Sequence, residues 1–111
     1  MEIRDNDKIC IFAPLGGKLD CNESKRLLNE ISLESRQVGI DLKYVYDCTI
    51  DFIELLKQAA KSKNIAIFNI PSDIFALFNI MKLDKVVNLY VSEYDFENQT
   101  HRLVNRQFKL A

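Results

Sequence analysis

The segment Ile40–Leu56 constrains the fold most, because its pattern is first that of a β-strand and then that of an α-helix. Apolar and polar side chains alternate along Val38–Lys43, which is typical of a strand with one buried face. From Phe52 onward, the apolar side chains recur at the spacing of one helix face. Between the two elements lies a short polar segment, Asp47–Thr49, which is called the elbow below.

The elbow is placed where an α/β protein usually keeps its functional site. Asp47 or Thr49 is able to accept hydrogen bonds from the free N–H groups of the first helical turn, and Asp51 suits the positive end of the helix dipole. A strand that leads directly into a helix brings such a segment to the edge of a sheet. The elbow holds no complete catalytic motif, so the pattern predicts the place of a site and not a reaction.

The rest of the chain continues the alternation of strands and helices. The predicted elements, in chain order, are strand Lys8–Ala13, a helix from Asp20 to about Arg36, strand Val38–Leu42, a helix from the elbow to about Lys63, strand Ile65–Ile70, a helix from Pro71, and strand Val86–Val91. This order predicts an α/β fold with a mixed, mainly parallel sheet of four to five strands and helices packed on it. We expect one domain that spans residues 1–111, since a chain of 111 residues buries a single core.

Several single residues have a predicted environment. The apolar stripe of the third helix places Phe78 and Met81 in the core. Asp41 is interpreted either as a solvated strand residue or as part of an acidic patch at the elbow. In the tail 92–111, the residues Phe96, Leu103 and Val104 would face the core from a helix, whereas Phe108–Leu110 would add an edge segment.

Composition excludes several classes of function. The net charge is -1, which argues against a nucleic-acid binder with its strongly basic face. The apolar runs are too short to cross a bilayer, and the charged start of the chain is not a signal peptide. Three cysteines without a C-x-x-C spacing and a single histidine predict neither a zinc site nor a disulfide framework. We therefore expect a cytoplasmic protein without a metal or other cofactor.

The order of the motifs resembles a STAS domain, the module of bacterial anti-sigma factor antagonists. Gly17–Asp20 is similar to the family's G-x-L-D motif, and Ile40–Leu42 is similar to its central "DL" strand. The elbow falls where the family has Asp-Ser-Ser-Gly at the start of its second helix. Pro71–Ile74, followed by Leu83–Val86, is similar to the third helix and its exit. The resemblance covers most of the chain, from Ile9 to Phe96.

The resemblance implies a non-catalytic protein-interaction module that docks on a partner through the elbow and the second helix. The site residues that it implies are Asp20, Asp47, Cys48, Thr49 and Asp51. In the family, the serine after the aspartate is phosphorylated by a kinase that is also the anti-sigma factor. Cys48 occupies that place here and cannot accept the phosphate. A register shifted by one residue would make Thr49 the phosphoacceptor instead.

The implied partner is a kinase-like anti-sigma factor or another STAS protein, and a homodimer stays open. The implied setting is bacterial signalling and transcription regulation. One alternative is a soluble STAS subunit of a lipid-transport complex. The other is a small thiol enzyme with Cys48 as its nucleophile. That enzyme would need a base and an oxyanion site, which the sequence does not offer, so a small buried cysteine is the simpler interpretation.

Overall fold

The structure is a computed structural model, and it describes residues 1–100 and 102–103. The strands are β1 (Glu2–Asp5), β2 (Ile9–Ala13), β3 (Lys18–Leu19), β4 (Gln37–Asp41), β5 (Asp47–Cys48), β6 (Ile65–Phe68), β7 (Asn88–Tyr90) and β8 (Arg102–Leu103). The helices are α1 (Cys21–Ser32), α2 (Ile50–Ala59), α3 (Ser72–Ile80) and α4 (Glu93–Asn98), with a 3-10 helix at Leu83–Lys85. The predicted alternation of strands and helices is confirmed.

In the described residues, six strands form the main sheet, in the order β1-β2-β4-β6-β7-β8. The four inner strands run parallel, and the edge strands β1 and β8 run antiparallel to their neighbours. The predicted α/β class with a mixed, mainly parallel sheet is thus confirmed. The edge strands β1 and β8 bring the main sheet to six strands, whereas four to five were predicted. The pattern did not indicate these two strands because they carry too few apolar side chains.

The main sheet has helices on both faces. Val38 and Ile40 point into a large core beneath α1, α2 and α3, whereas Ile11 and Phe68 point to a smaller core on the opposite face, where Phe96 of α4 packs. Helices α2 and α3 lie on the same side of the sheet, where the rings of Phe52 and Phe78 are 6.5 Å apart between centroids. Burial of both faces explains why the inner strands are almost continuously apolar.

In the tail, the structure describes residues 92–100 and 102–103. Phe96 is fully buried from α4, as predicted. Leu103 packs partly buried against the large core, as predicted, but it does so from strand β8, so the predicted helix is wrong there. The backbone of β8 pairs with β7 and forms the edge of the sheet. The predictions for Val104 and for Phe108–Leu110 lie outside the described residues.

Two further predictions were tested by the local structure. Phe78 is fully buried and Met81 packs partly buried against the same core, as the helix pattern predicts. Helix α1 ends at Ser32, earlier than predicted, and in the segment just beyond it Arg36 donates from its backbone N and its Nε to the carboxylate of Glu34. Among the described residues, no helix has the length and apolar character needed to cross a membrane.

Gly39 makes room for Phe96 on the second face. A Cβ atom at Gly39 would lie 2.7 Å from Cε2 of Phe96 and 3.1 Å from Cε1 of Phe68. The Phe96 ring in turn stacks on Phe68 at 5.3 Å and tilts against Tyr90 at 6.0 Å between centroids. The absence of a side chain in the middle of strand β4 therefore allows α4 to close over the sheet.

Gly39→Ala is expected to lower the free energy of unfolding by about 1–3 kcal/mol, because the added methyl group overpacks a closed aromatic cluster. Gly16→Ala is the matched control, since a Cβ atom at Gly16 has no neighbour within 4 Å in the described structure. Urea denaturation of both variants measures the difference. Equal midpoints for the two variants would show that Phe96 does not need the space above Gly39.

Candidate functional site

The elbow is built by a second, two-stranded sheet that joins two distant parts of the chain. Strand β3 pairs in parallel with β5, with Lys18 opposite Asp47 and Leu19 opposite Cys48. The carbonyl oxygen of Leu19 accepts a hydrogen bond from the backbone N of Thr49 at 3.0 Å. The two motifs at residues 17–20 and 47–49, which are separate in sequence, are therefore one surface in the fold.

Gly17 shapes the turn that leads into this surface. Its carbonyl oxygen accepts hydrogen bonds from the backbone N of Tyr46, at 2.7 Å, and of Asp47, at 3.3 Å. Its φ of 84° lies in the left-handed region, which favours glycine. A Cβ atom there would also lie 2.5 Å from Cε2 of Tyr46. Gly17 therefore fixes the path of the backbone and lets the Tyr46 ring lie across it.

The acids of the predicted site are exposed, and each has a different local role. Asp20 is the N-cap of α1, and its carboxylate accepts a hydrogen bond from the backbone N of Glu23 at 2.9 Å, as predicted. Asp47 lies with its carboxylate 3.9 Å from Nζ of Lys18, and both side chains are more than half exposed. Asp51 is in the first turn of α2. An exposed ion pair such as that of Lys18 with Asp47 contributes little to stability. The carboxylates of all three acids are accessible to a ligand, because all three residues are exposed.

Thr49 occupies the N-cap position of α2, but it does not cap the helix with its side chain. Its hydroxyl donates a hydrogen bond to the carbonyl oxygen of Leu19, at 3.3 Å. The predicted cap by Asp47 or Thr49 is therefore wrong, because no side chain in the described residues caps the start of α2 and the Thr49 hydroxyl is directed at Leu19 of the paired strand β3. The side chain is half-buried.

Cys48 faces the core beneath the elbow and is 8% exposed. Burial, with a further contribution from the charge of Asp47, raises the pKa of its thiol to about 11. At pH 7 roughly one molecule in ten thousand then carries the thiolate, the form that acts as a nucleophile. The structure thus favours the interpretation of Cys48 as a small buried side chain.

We expect Cys48 to be alkylated slowly by iodoacetamide in the folded protein at pH 7. Its rate should rise about tenfold per pH unit toward pH 11, as long as the fold persists, because the thiolate fraction rises by that factor. Cys21, which is more exposed, provides the internal comparison. Peptide mass spectrometry of each alkylated cysteine measures both rates. Cys48 modification as fast as that of Cys21 at pH 7 would contradict the buried, neutral thiol.

The exposed apolar residues around the elbow were missed by the sequence reasoning. Tyr44 is 51% exposed, Tyr46 is 74% exposed, and Ile50 is 55% exposed. The Nζ atom of Lys43 lies 5.1 Å from the centre of the Tyr44 ring. The sequence did contain a signal for this exposure. Tyr44 and Tyr46 alternate with apolar residues in the segment that follows the strand, and these side chains cannot all point into the core. We name the exposed set Tyr44, Tyr46 and Ile50 the apolar rim.

The site lacks the features of a metal centre. Among residues 1–100 and 102–103, no group of three or more His, Cys, Asp or Glu side chains is arranged to hold a metal ion. The surface therefore presents exposed carboxylates, the ion pair of Lys18 with Asp47, and the apolar rim. Such a mixture of exposed aromatic and charged side chains is suited to contact with another protein.

The fold is found in a known solved structure. A Thermotoga maritima protein, provisionally assigned as an anti-sigma factor antagonist, superposes with a TM-score of 0.75 at 13% sequence identity. The alignment covers 91% of this chain and 94% of that one. No family model matches the sequence, and no curated protein matches it. The chain therefore has the STAS-like α/β fold that its motif order predicts.

Proposed function

We propose that this chain is a non-catalytic STAS-type interaction module of bacterial signalling, which docks on a protein partner through the elbow. The observation that carries the proposal is the apolar rim, in which Tyr46 and Ile50 directly adjoin the exposed acids Asp47 and Asp51 in the chain, at β5 and the start of α2. Tyrosine is among the residue types that dominate binding energy in protein interfaces, and polar side chains commonly surround such residues at the interface rim. The likeness of the fold to an anti-sigma factor antagonist supports the same reading.

The proposed docking site consists of Asp20, Asp47, Cys48, Thr49 and Asp51, extended by the apolar rim. In it Cys48 supports the elbow from below, and the exposed side chains contact the partner. The partner proposed is a kinase-like anti-sigma factor or another STAS protein in the bacterial cytoplasm. Residues 1–111 would form one domain of this type, and a homodimer is a further form of the same contact.

Phosphorylation at the usual serine is replaced in this proposal by a permanently unmodified site. Cys48 has no hydroxyl, and its thiol points into the core. Thr49 is the hydroxyl nearest to that place, but it donates to the carbonyl oxygen of Leu19 and is half-buried. A kinase would have to break this hydrogen bond before it phosphorylated Thr49. We therefore propose that the module stays in the binding-competent form.

The thiol-enzyme alternative has less physical support. A buried thiol with a pKa of about 11 is a poor nucleophile at neutral pH unless a base removes its proton. The charge of Asp47 beside it works against the thiolate. The lipid-transport alternative uses the same docking surface and differs only in the partner.

Affinity capture from the native cells with the tagged chain tests the proposal. An anti-sigma factor kinase or a STAS protein among the captured proteins is the expected result, and a transporter ATPase would favour the lipid-transport alternative. Capture by the parent chain must be lost in the variant Tyr46→Ala and kept in Tyr94→Ala. If both variants captured the same proteins as the parent, the elbow would not be the docking site.

A further inference from the structure

Asp41 is a fully buried carboxylate at the end of the central strand β4. It directly precedes the segment Leu42–Tyr46, which leads to the elbow and carries two residues of the apolar rim. Its Oδ1 atom accepts hydrogen bonds from the backbone N of Lys43, at 3.0 Å, and from Nδ2 of Asn69, at 3.1 Å. The interpretation of Asp41 as a solvated residue or a member of an acidic patch is therefore wrong.

The second oxygen of Asp41 is held by a charge on edge strand β1, which lies two strands away from β4 in the sheet. Nη2 of Arg4, on edge strand β1, lies 3.1 Å from Oδ2 of Asp41. The same nitrogen lies 2.6 Å from the carboxylate of Glu93, the first residue of α4, and Nη1 lies 2.6 Å from Glu2. Lys43 contributes a more distant charge, with Nζ 4.0 Å from Oδ2. Arg4 thus joins β1 and α4 to the end of β4.

Asn69 completes the arrangement from the neighbouring strand. It follows β6 directly, and its φ is 54°, a left-handed conformation in which asparagine is enriched. That backbone conformation accompanies the hydrogen bond from its side chain to Asp41. Three donors from three parts of the chain therefore converge on one buried carboxylate.

We propose that Asp41 is a positioning residue, which holds the segment Leu42–Tyr46 in the conformation that presents Tyr44 and Tyr46. Arg4 determines how firmly it does so. The functional part of this inference rests on the proposed docking role of the elbow. The physical reason is that a buried carboxylate is stable only while its charge and lone pairs are matched. Removal of Arg4 leaves Asp41 underpaired, and the cheapest response is for the exposed segment beside it to move so that water reaches the carboxylate.

Amide hydrogen exchange of the free protein tests the inference. In Arg4→Met, which keeps an unbranched apolar stem and removes the charged guanidinium group, the amides of Lys43 and Val45 should exchange at least about tenfold faster. The amides of the inner strands β4 and β6 should change by less than about twofold under the same conditions. Glu2→Gln is the matched control, because it removes an exposed partner of Arg4 and leaves the contact with Asp41 intact. It should leave Lys43 and Val45 within about twofold of the parent.

A purely structural role would give a different result. In that case the amides of β4 and β6 would accelerate by the same factor as those of Lys43 and Val45, and the inference would be overturned. Unchanged exchange at Lys43 in Arg4→Met would overturn it as well. Asp41→Asn is a second variant with the same expected pattern, and Arg4→Met decides the matter if Asp41→Asn does not fold. Because no partner is present, failure of the docking proposal would appear in capture experiments and not in exchange.

Discussion

Phe78→Ala is expected to lower the free energy of unfolding by about 3–5 kcal/mol. Phe78 is fully buried on α3 and packs toward Phe52 of α2 across the large core, so its removal leaves a cavity between two helices and the sheet. A domain of this size has only about 5–15 kcal/mol of stability, so this one substitution would remove a large part of it. Chemical denaturation followed by circular dichroism measures the change.

Ile80→Ala on the same helix is the control. Ile80 is 76% exposed, and its truncation should alter the free energy of unfolding by no more than about 0.5 kcal/mol. The pair of variants compares the two faces of one helix under identical conditions. An unaltered midpoint for Phe78→Ala, or an equal loss in both variants, would contradict the assignment of the buried face.

Tyr46→Ala is expected to weaken partner binding by roughly tenfold or more. Tyr46 is the most exposed residue of the apolar rim, and its ring lies against Gly17 within the proposed docking site. Central aromatic residues of protein interfaces commonly cost more than 1 kcal/mol when truncated, and about 1.4 kcal/mol corresponds to a factor of ten. The loss should appear mainly in a faster dissociation rate.

The structure changes which substitution at the elbow is informative. Cys48→Asp would add an acid next to Asp47, but Cys48 is almost completely buried, so the variant would lose stability as well as affinity. Cys48→Ser changes the side chain little in size and should leave binding nearly unchanged. A loss of activity in Cys48→Ser would instead support the thiol-enzyme alternative.

Local patterns predicted the inner part of the fold well, because burial on both faces leaves a strong signal in short apolar runs. Strands β2 and β6 and the buried face of α3 are examples. Strand β1 was not predicted, because its only apolar residue is the exposed Ile3 and its other residues are charged. Its position in the sheet is determined by its pairing with β2. A local sequence pattern does not indicate which other strand a segment of this kind pairs with.

The candidate site was predicted in position but not in structure. The motif order brought Asp20 and the elbow together, and the pairing of β3 with β5 shows why they meet. Two-residue strands are too short to have a pattern of their own, so the hydroxyl of Thr49 was assigned to a cap that it does not make. The burial of Asp41 was missed for a similar reason, because its partner Arg4 is 37 residues away.

The most direct test of the central claim is a comparison of two exposed tyrosines. The partner captured by the parent chain is purified, and its dissociation constant is measured for the parent, for Tyr46→Ala and for Tyr94→Ala. Tyr94 is 70% exposed on α4, on the opposite face of the sheet, so it matches Tyr46 in type and exposure. We predict a loss of roughly tenfold or more for Tyr46→Ala and less than about twofold for Tyr94→Ala. Equal affinities for all three proteins, or a larger loss for Tyr94→Ala, would contradict the assignment of the elbow as the docking site.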